Sequence, residues 1–249
     1  MVEGTAAVEL RHVTKAFGDR PVLDDVSFAV PAGRSVCILG QSGTGKSVTL
    51  RHIVGLIRPD AGTVLVEGED ITAMGSRELS RVRQRIGFLF QYAALFDSIT
   101  VGANVEFPMR RHTRRSDREI RARAGDLLAQ VGLEREYEKM PADLSGGMRK
   151  RAGLARALAL EPAILLADEP SAGLDPVTAA EIDELLVHLR QQARTTLVVV
   201  THNIPSARAI GEELIFLHEG HVIAQGPPGA LEASDVPLVR RFMESAGAG

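Results

Sequence analysis

The segment of the sequence that decides the fold is the glycine-rich run at residues 40–47, Gly40-Gln41-Ser42-Gly43-Thr44-Gly45-Lys46-Ser47. It fits the pattern G-x-x-x-x-G-K-[ST] at every defined position. The glycines allow backbone N–H groups to converge on phosphate oxygens without interference from a Cβ atom. In this pattern Lys46 reaches the β- and γ-phosphates, and the Ser47 hydroxyl ligates Mg²⁺. The run predicts a loop that binds Mg-ATP; the alternative is an ordinary glycine-rich turn.

The elements on either side of this run favour the phosphate loop. Ser35 to Leu39 is an apolar run with the length of a buried strand, and Lys46 to Ile57 has the pattern of a helix. We expect that helix to end before Pro59 and Gly62. A strand, a loop and a helix in this order direct the positive end of the helix at a bound anion.

The rest of the chain alternates between strand and helix patterns. Strands are predicted at 8–17, 22–30, 62–67, 163–167 and 196–201, and the first two are separated by a turn at 18–21. Asp175 and Pro176 form an N-cap followed by proline at the first helical position, which predicts a helix to about Gln191. This alternation predicts an α/β fold with a parallel sheet.

The strand at 163–167 is followed by two carboxylates, Asp168 and Glu169. In phosphate-loop ATPases an aspartate at such a strand end helps to hold Mg²⁺, and Asp168 fits that role. Glu169 is then expected beside the γ-phosphate, where it orients and deprotonates the attacking water. The alternative is a pair of solvated acids at a strand end.

Composition restricts the class of protein. The chain has 249 residues, enough for one domain with a subdomain, and a net charge of −3, which argues against a nucleic-acid-binding protein. Cys37 is the only cysteine and lies in an apolar run, so we expect it to be buried in a reducing compartment. We find neither an apolar stretch long enough to cross a bilayer nor a signal peptide. We therefore expect a cytoplasmic protein whose membrane role depends on another chain.

The middle of the chain is basic and helical. Residues 77–123 contain eleven arginines and five acidic residues, an excess of six positive charges that fits proximity to anionic headgroups or, alternatively, a solvated helical face. Ser116 and Glu119 form a capping box. The residues predicted to share one face of the following helix are Ile120, Ala124, Leu127, Leu128 and Val131. A second helix is predicted from Ser145 to Leu160.

The order of the motifs resembles the ATP-binding-cassette (ABC) ATPases. The phosphate loop is followed by the signature Leu144-Ser145-Gly146-Gly147-Met148 and then by Asp168 and Glu169, and the resemblance covers essentially the whole chain. Met148 replaces the more common glutamine of the signature. The resemblance implies one cassette with three parts: a phosphate-loop core (1–91 and 161–249), an antiparallel β-subdomain within its N-terminal part, and a helical subdomain (92–160).

The resemblance also implies roles for single residues. Gln91 matches the glutamine between the core and the helical subdomain, and is expected to bind both nucleotide and Mg²⁺. His202 matches the switch histidine of catalysis, and Phe17 the aromatic residue that stacks on adenine. The segment 171–175, Ser-Ala-Gly-Leu-Asp, matches the loop after the catalytic strand. Three of these residues have a simpler alternative role. His202 could be a strand-end histidine with no function, Gln91 a surface amide and Phe17 a core phenylalanine.

In this family the signature acts on the nucleotide of a second protomer. Ser145, Gly146 and Gly147 are thus expected to contact the γ-phosphate bound by a second copy of the chain, so that two chains sandwich two ATP molecules head to tail. ATP favours the closed dimer and hydrolysis releases it.

The segment 91–113 looks like the ATPase of Mla/MCE-type phospholipid transport systems, as does 238–243. This resemblance implies a multispanning permease and an MCE-domain protein as candidate partners, and a location on the cytoplasmic face of the inner membrane. Leu95, Phe96 and Ile99 are candidates to line a groove for a permease helix, or to pack inside the subdomain. Two features depart from the subfamily: Arg111 stands where an acid is expected, and the chain ends soon after Phe242.

Two other functions remain open. The alternative to a phospholipid transporter is the same ATPase in a transporter for another substrate, such as amino acids or ions. A non-transport ABC ATPase acting on nucleic acid or ribosomes is the alternative of another class, and it usually has two fused cassettes or a long coiled coil.

Overall fold

A computed structural model describes residues 6–245. These residues form two sheets with helices, and the phosphate loop lies at one edge of the larger sheet. No helix among the described residues combines the length and apolarity needed to cross a bilayer.

The smaller sheet is antiparallel and has the strand order β2-β1-β4-β5. Its strands are β1 (Ala6–Phe17), β2 (Arg20–Pro31), β4 (Ala61–Val66) and β5 (Glu69–Asp70). Alternate residues of β2, including Val26, Phe28 and Val30, are buried, as expected for strands with one face on the core. The expected N-terminal antiparallel sheet is therefore confirmed.

The larger sheet has the order β10-β9-β3-β8-β7-β6. Its strands are β3 (Ser35–Leu39), β6 (Ile86–Leu89), β7 (Ile164–Asp168), β8 (Thr196–Thr201), β9 (Glu213–His218) and β10 (His221–Gly226). All neighbours are parallel except the edge pair β9–β10. The predicted α/β fold with a parallel sheet is correct.

Strand register brings the chemical motifs to one edge of this sheet. Leu39 pairs with Thr201, and Asp168 pairs with Val200. Because parallel strands end at the same edge, the segments after β3, β7 and β8 meet there. The core strands are buried on both faces, which explains their unbroken apolar runs. Cys37, on β3, is fully buried as expected.

The helices are α1 (Lys46–Ile53), α2 (Ser76–Arg83), α3 (Val101–His112), α4 (Asp117–Gln130), α5 (Gly146–Ala157), α6 (Pro176–Ala193), α7 (Ile204–Ile210), α8 (Pro228–Glu232) and α9 (Pro237–Glu244). Asp175 caps α6 through its side chain, and the Ser116–Glu119 capping box is present at α4. All five residues predicted for the inner face of α4 are buried.

The predicted end of α1 is wrong. The helix ends at Ile53 rather than Ile57, because Gly55 adopts a left-handed φ of +67°. The N–H of Gly55 donates to His52 O, and the N–H of Leu56 donates to Arg51 O, which closes the last turn. Gly55, and not Pro59 or Gly62, therefore ends the helix. α5 is likewise shorter than predicted: Ser145 is its N-cap and Ala157 its last residue.

Many arginines of the basic segment 77–123 are engaged within the chain. Arg83 donates to Val54 O and Gly55 O. Five further arginines of the segment form ion pairs with carboxylates: Arg85, Arg110, Arg115, Arg121 and Arg123. Several partners, such as Glu138 and Glu161, lie outside the segment, so much of its charge excess is balanced by the fold.

Candidate functional site

The phosphate loop follows β3 and enters α1, and two of its glycines have no room for a side chain. A Cβ on Gly40 would lie 2.2 Å from Leu217 O. Gly45 has a φ of +100°, and a Cβ there would lie 2.7 Å from Val22 O. These close approaches to neighbouring backbone require glycine.

Lys46 is buried within the loop that it serves. Its Nζ donates to Gly40 O and Gln41 O, each at 2.9 Å. Burial lowers the pKa of Lys46, while the nearby carboxylates Glu169 and Asp168 raise it. Thr44 stabilises the same loop, because its hydroxyl donates to Gln41 O at 2.9 Å.

Ser47 and Asp168 are brought together, although 121 residues separate them in sequence. The Ser47 hydroxyl donates to Asp168 Oδ1 at 2.8 Å. Burial raises the pKa of Asp168, and the hydrogen bond from Ser47 opposes that shift. A hydroxyl beside a carboxylate is the oxygen donor set that Mg²⁺ accepts together with phosphate oxygens and water. The described residues contain no cluster of three or more His, Cys, Asp or Glu side chains suited to a metal.

Glu169 follows β7 in a left-handed conformation with a φ of +46°. Its N–H donates to Val200 O at 2.9 Å. Its Oε2 accepts from the buried hydroxyl of Thr201 at 3.1 Å, and its Oε1 lies 2.8 Å from Nδ1 of His202. A non-glycine residue held in this conformation is a strained feature of the kind that clusters at functional sites.

A cavity of about 530 Å³ brings the predicted site residues together. Its lining comprises Val22, Gln41, Ser42, Gly43, Gly45, Lys46, Ser47, Val48, Gln91, Glu169, His202 and Phe242. Gly40, Thr44 and Asp168 contact this lining through the hydrogen bonds already described or through the chain itself.

Among the described residues, the lining contains neither the signature residues nor Phe17. Ser145 is exposed at the N-terminus of α5, where its hydroxyl accepts from Met148 N at 3.2 Å. Gly146 and Gly147 form the first turn of that helix. The Phe17 residue is 49% exposed and lies beside Lys15 rather than in the core, so the alternative of a core phenylalanine is wrong.

Three residues of this region were not predicted from the sequence. Thr201 binds Glu169, Phe242 of α9 lines the cavity, and Lys150 of α5 reaches the carbonyls of Gln91 and Glu169. The spacing of Lys150 could have indicated its role. Lys150 lies three residues from Gly147 and three from Gly153, so it is on the same face of α5 as these small residues.

A separate groove of about 450 Å³ lies between the core and the helices of residues 101–157. Phe90, Phe96 and Phe107 line it, and the rings of Phe96 and Phe107 are 4.9 Å apart. Leu95, a candidate either to line a groove or to pack inside the subdomain, packs against the main core cluster. Ile99 is half-buried and is not among the lining residues described for the groove.

The chain is similar in sequence and in fold to known proteins. The family model described as ABC transporter matches residues 23–172. The probable ribonucleotide transport ATP-binding protein mkl of Mycobacterium tuberculosis is 44% identical over 237 residues, and the match covers 95% of this chain and 66% of that protein. The chain thus spans less than two thirds of the length of the mycobacterial relative.

Two further similarities cover most of both partners. The intermembrane phospholipid transport system ATP-binding protein MlaF of Escherichia coli is 40% identical over 95% of this chain and 88% of its own length. A dimeric post-hydrolysis structure of the ATP-binding cassette MJ0796 bound to ADP and phosphate superimposes with a TM-score of 0.83 at 38% identity, covering 88% of this chain and 98% of that one. The family match and the identity to MlaF show that the chain belongs to the ABC transporter family of ATP-binding proteins.

Proposed function

We propose that the chain is the ATP-hydrolysing subunit of an ABC transporter and works as a head-to-tail dimer. The observation that carries this proposal is the separation of the phosphate loop from the signature segment. Lys46, Gln91, Glu169 and His202 surround one cavity, whereas Ser145 is exposed at another helix end. Each chain then supplies half of two composite sites.

In the proposed site, the loop amides and Lys46 bind the β- and γ-phosphates. Ser47, Asp168 and Gln91 would hold Mg²⁺, which supplies positive charge that neutralises the phosphate oxygens when it is bound. On nucleotide binding, Lys46 exchanges the carbonyls of Gly40 and Gln41 for phosphate oxygens.

Glu169 is proposed as the base that orients and deprotonates the attacking water. Its carboxylate is held from two sides, by the Thr201 hydroxyl and by the His202 imidazole. These contacts restrict the rotamer of Glu169, whose side chain lines the cavity together with Lys46.

The signature of the partner chain is proposed to complete the site. The N-terminus of α5 presents unpaired backbone N–H groups and the positive end of the helix, together with the Ser145 hydroxyl, to the γ-phosphate of the facing chain. Val22 lines the cavity, and Phe17, which is exposed at the end of β1, is proposed to stack on adenine. Loss of the γ-phosphate removes the contacts that favour closure.

The groove containing Phe96 and Phe107 is the proposed contact with a multispanning permease. Both side chains are nearly half exposed, and Tyr92 of the same connecting segment is 86% exposed, so this surface presents large apolar groups that the described part of the chain leaves uncovered. A permease helix docked there would contact residues only a few positions from Gln91. The chain would then lie peripherally on the cytoplasmic face of the membrane.

The proposed cargo is phospholipid or a related hydrophobic molecule, with an MCE-domain protein as a further partner. The similarity to MlaF supports this cargo. The similarity to mkl, a probable ribonucleotide transport protein, supports a transporter with another substrate as the second candidate.

The test is purification of the full chain from native membranes, with lipid analysis of the complex. Co-purification of a multispanning protein, an MCE-domain protein and stoichiometric phospholipid is expected. A permease with a soluble substrate-binding protein and no bound lipid would replace the lipid cargo by the second candidate. Absence of any membrane protein would contradict the transport function.

A further inference from the structure

Helix α5 contacts residues 91–94, called here the Gln91 loop, through two cationic side chains. Lys150 Nζ donates to the carbonyl of Gln91 and, at 3.0 Å, to that of Glu169. The Arg156 guanidinium donates to Ala93 O at 2.7 Å and to Ala94 O at 2.6 Å. Helix α5, whose first turn contains the signature, therefore binds the Gln91 loop at three backbone carbonyls.

Close packing fixes the same loop between these two contacts. A Cβ on Gly153 would lie 3.0 Å from Ala93 Cβ and 3.1 Å from Leu89 Cδ1, so α5 approaches the loop at a small residue. Ala93 and Ala94 have φ values of +59° and +51°. Such left-handed alanines persist only where their surroundings determine the backbone. The loop and α5 therefore behave as one packed unit.

Lys150 connects this unit to the catalytic edge of the sheet. It is only 6% exposed, and a buried ammonium group requires partners for its N–H groups. Two of its partners are carbonyls from different segments, one before the helical region and one directly after β7. Burial lowers the pKa of Lys150, and the charges of Asp168 and Glu169 oppose that shift.

We infer that Lys150 is a positioning residue that ties the placement of the Glu169 carboxylate to the position of the Gln91 loop. The inference rests on the proposed role of Glu169 as base. The left-handed backbone of Glu169 is held on one side by its N–H bond to Val200 O and on the other by Lys150 at its carbonyl. A displacement of the Gln91 loop therefore reaches Glu169 through a single side chain, without passing through the nucleotide.

The primary test is Lys150→Met in the full chain, which keeps the apolar stem and removes the donors. Turnover per occupied site is measured with Mg-ATP, after titration of ATP-binding sites to exclude an unfolded fraction. Turnover is expected to fall about 10- to 100-fold, because misplacement of a reacting group by about 1 Å costs up to that much. ATP affinity is expected to change by less than about threefold, since Lys150 is not among the groups that bind phosphate in this pattern.

The matched control is Arg151→Met, one position along the same helix. Arg151 bonds Glu181 at 2.7 Å and Val131 O at 3.2 Å, away from the Gln91 loop. Its turnover is expected to stay within about twofold of the parent, because partly exposed ion pairs contribute little. If Lys150→Met turns over like Arg151→Met, the inference is overturned.

A double variant separates positioning from general damage. In a Glu169→Gln background, Lys150→Met is expected to change residual single-turnover hydrolysis by less than about twofold, because two residues acting through one group are not additive. Multiplicative losses would overturn the inference. If Lys150→Met binds ATP at reduced stoichiometry, Lys150→Gln replaces it in both tests, and it is expected to lose turnover less severely because its amide retains N–H donors.

The Glu169→Gln variant also separates a failure of the proposed role of Glu169 from a failure of the inference on Lys150. Full turnover in Glu169→Gln would overturn the proposed function of Glu169, and the Lys150 inference with it. Lost turnover in Glu169→Gln together with parental turnover in Lys150→Met would overturn the Lys150 inference alone.

Discussion

Nδ1 of His202 lies 2.8 Å from Oε1 of Glu169, across the ends of two adjacent parallel strands. The Glu169 side chain is 11% exposed and that of His202 is 62% exposed, so the contact joins a nearly buried carboxylate to a ring that borders the cavity. The buried hydroxyl of Thr201 holds the other carboxylate oxygen. Thr201 and His202, at the end of β8, thus determine where the carboxylate of the proposed base points.

Glu169→Gln is expected to retain ATP binding and to lose turnover by about 10²- to 10⁴-fold, the usual contribution of a general base. The amide keeps the shape of the side chain and cannot accept the proton of water. Phosphate release and nucleotide affinity are measured on the same preparation. Glu134→Gln, at an exposed position on the helical side of the molecule, serves as the control and is expected to be unaffected. Turnover retained in Glu169→Gln would remove this residue from the role of base.

His202→Ala is expected to lower turnover about tenfold while leaving ATP affinity unchanged, because one orienting hydrogen bond of about 1.4 kcal/mol is lost. Steady-state phosphate release checks this. His221→Ala, on an exposed histidine of β10, is the control. A loss as large as that of Glu169→Gln would contradict an orienting role and would require His202 to contact the reacting groups itself.

Lys46→Ala is expected to lose nucleotide affinity, because it removes the cation that faces the β- and γ-phosphates. Lys46 also ties the carbonyls of Gly40 and Gln41 together, so the variant loop should be less well ordered without nucleotide. Binding of a fluorescent ATP analogue measures the effect. Affinity equal to that of the parent would argue against the assignment of the phosphate loop.

Replacement of two helix glycines by alanine is expected to change the free energy of unfolding in opposite directions. A Cβ on Gly102 of α3 would lie 2.2 Å from the Tyr137 ring, so Gly102→Ala should destabilise by about 1–3 kcal/mol through overpacking. A Cβ on Gly125 of α4 meets nothing within 4 Å, so Gly125→Ala should stabilise by about 0.5–1 kcal/mol. Chemical denaturation of both variants measures the difference. Equal effects would contradict the close contact between Gly102 and Tyr137.

The buried His52 predicts a pH dependence of stability. Burial lowers the pKa of His52 in the folded protein, and its Nε2 has no hydrogen-bond partner within the described structure. The unfolded chain therefore takes up a proton first, so the free energy of unfolding falls as the pH drops below about 6.5, the ordinary histidine value. His52→Gln should flatten this decline, whereas His112→Gln on the exposed end of α3 should not. A decline that is identical in parent and His52→Gln would exclude His52 as its source.

The site residues that could be predicted from the sequence belong to motifs whose residues are adjacent in the chain. Residues 40–47 and the pair Asp168–Glu169 carry enough local information to indicate both their element context and their ligands, and the parallel sheet then brings them to one edge. Thr201, Lys150 and Phe242 were missed because their roles depend on contacts between distant segments. Lys150, for example, reaches Gln91 across 59 residues of sequence. The end of α1 was also predicted wrongly, because the left-handed Gly55 ends the helix before Pro59 and Gly62, which were expected to do so.

The central claim, that the phosphate loop of one chain and the signature of another close on the same ATP, is tested most directly by thiol crosslinking. Cys37 is the only cysteine, and it is fully buried, so it does not compete. Ser42→Cys and Ser145→Cys are made in separate Glu169→Gln chains, and both positions are exposed in the single chain. We predict that a short thiol-reactive crosslinker gives a covalent dimer only when the two chains are mixed and ATP is present. Equal dimer yield without ATP or from either chain alone, or no dimer in the mixture, would contradict the composite site.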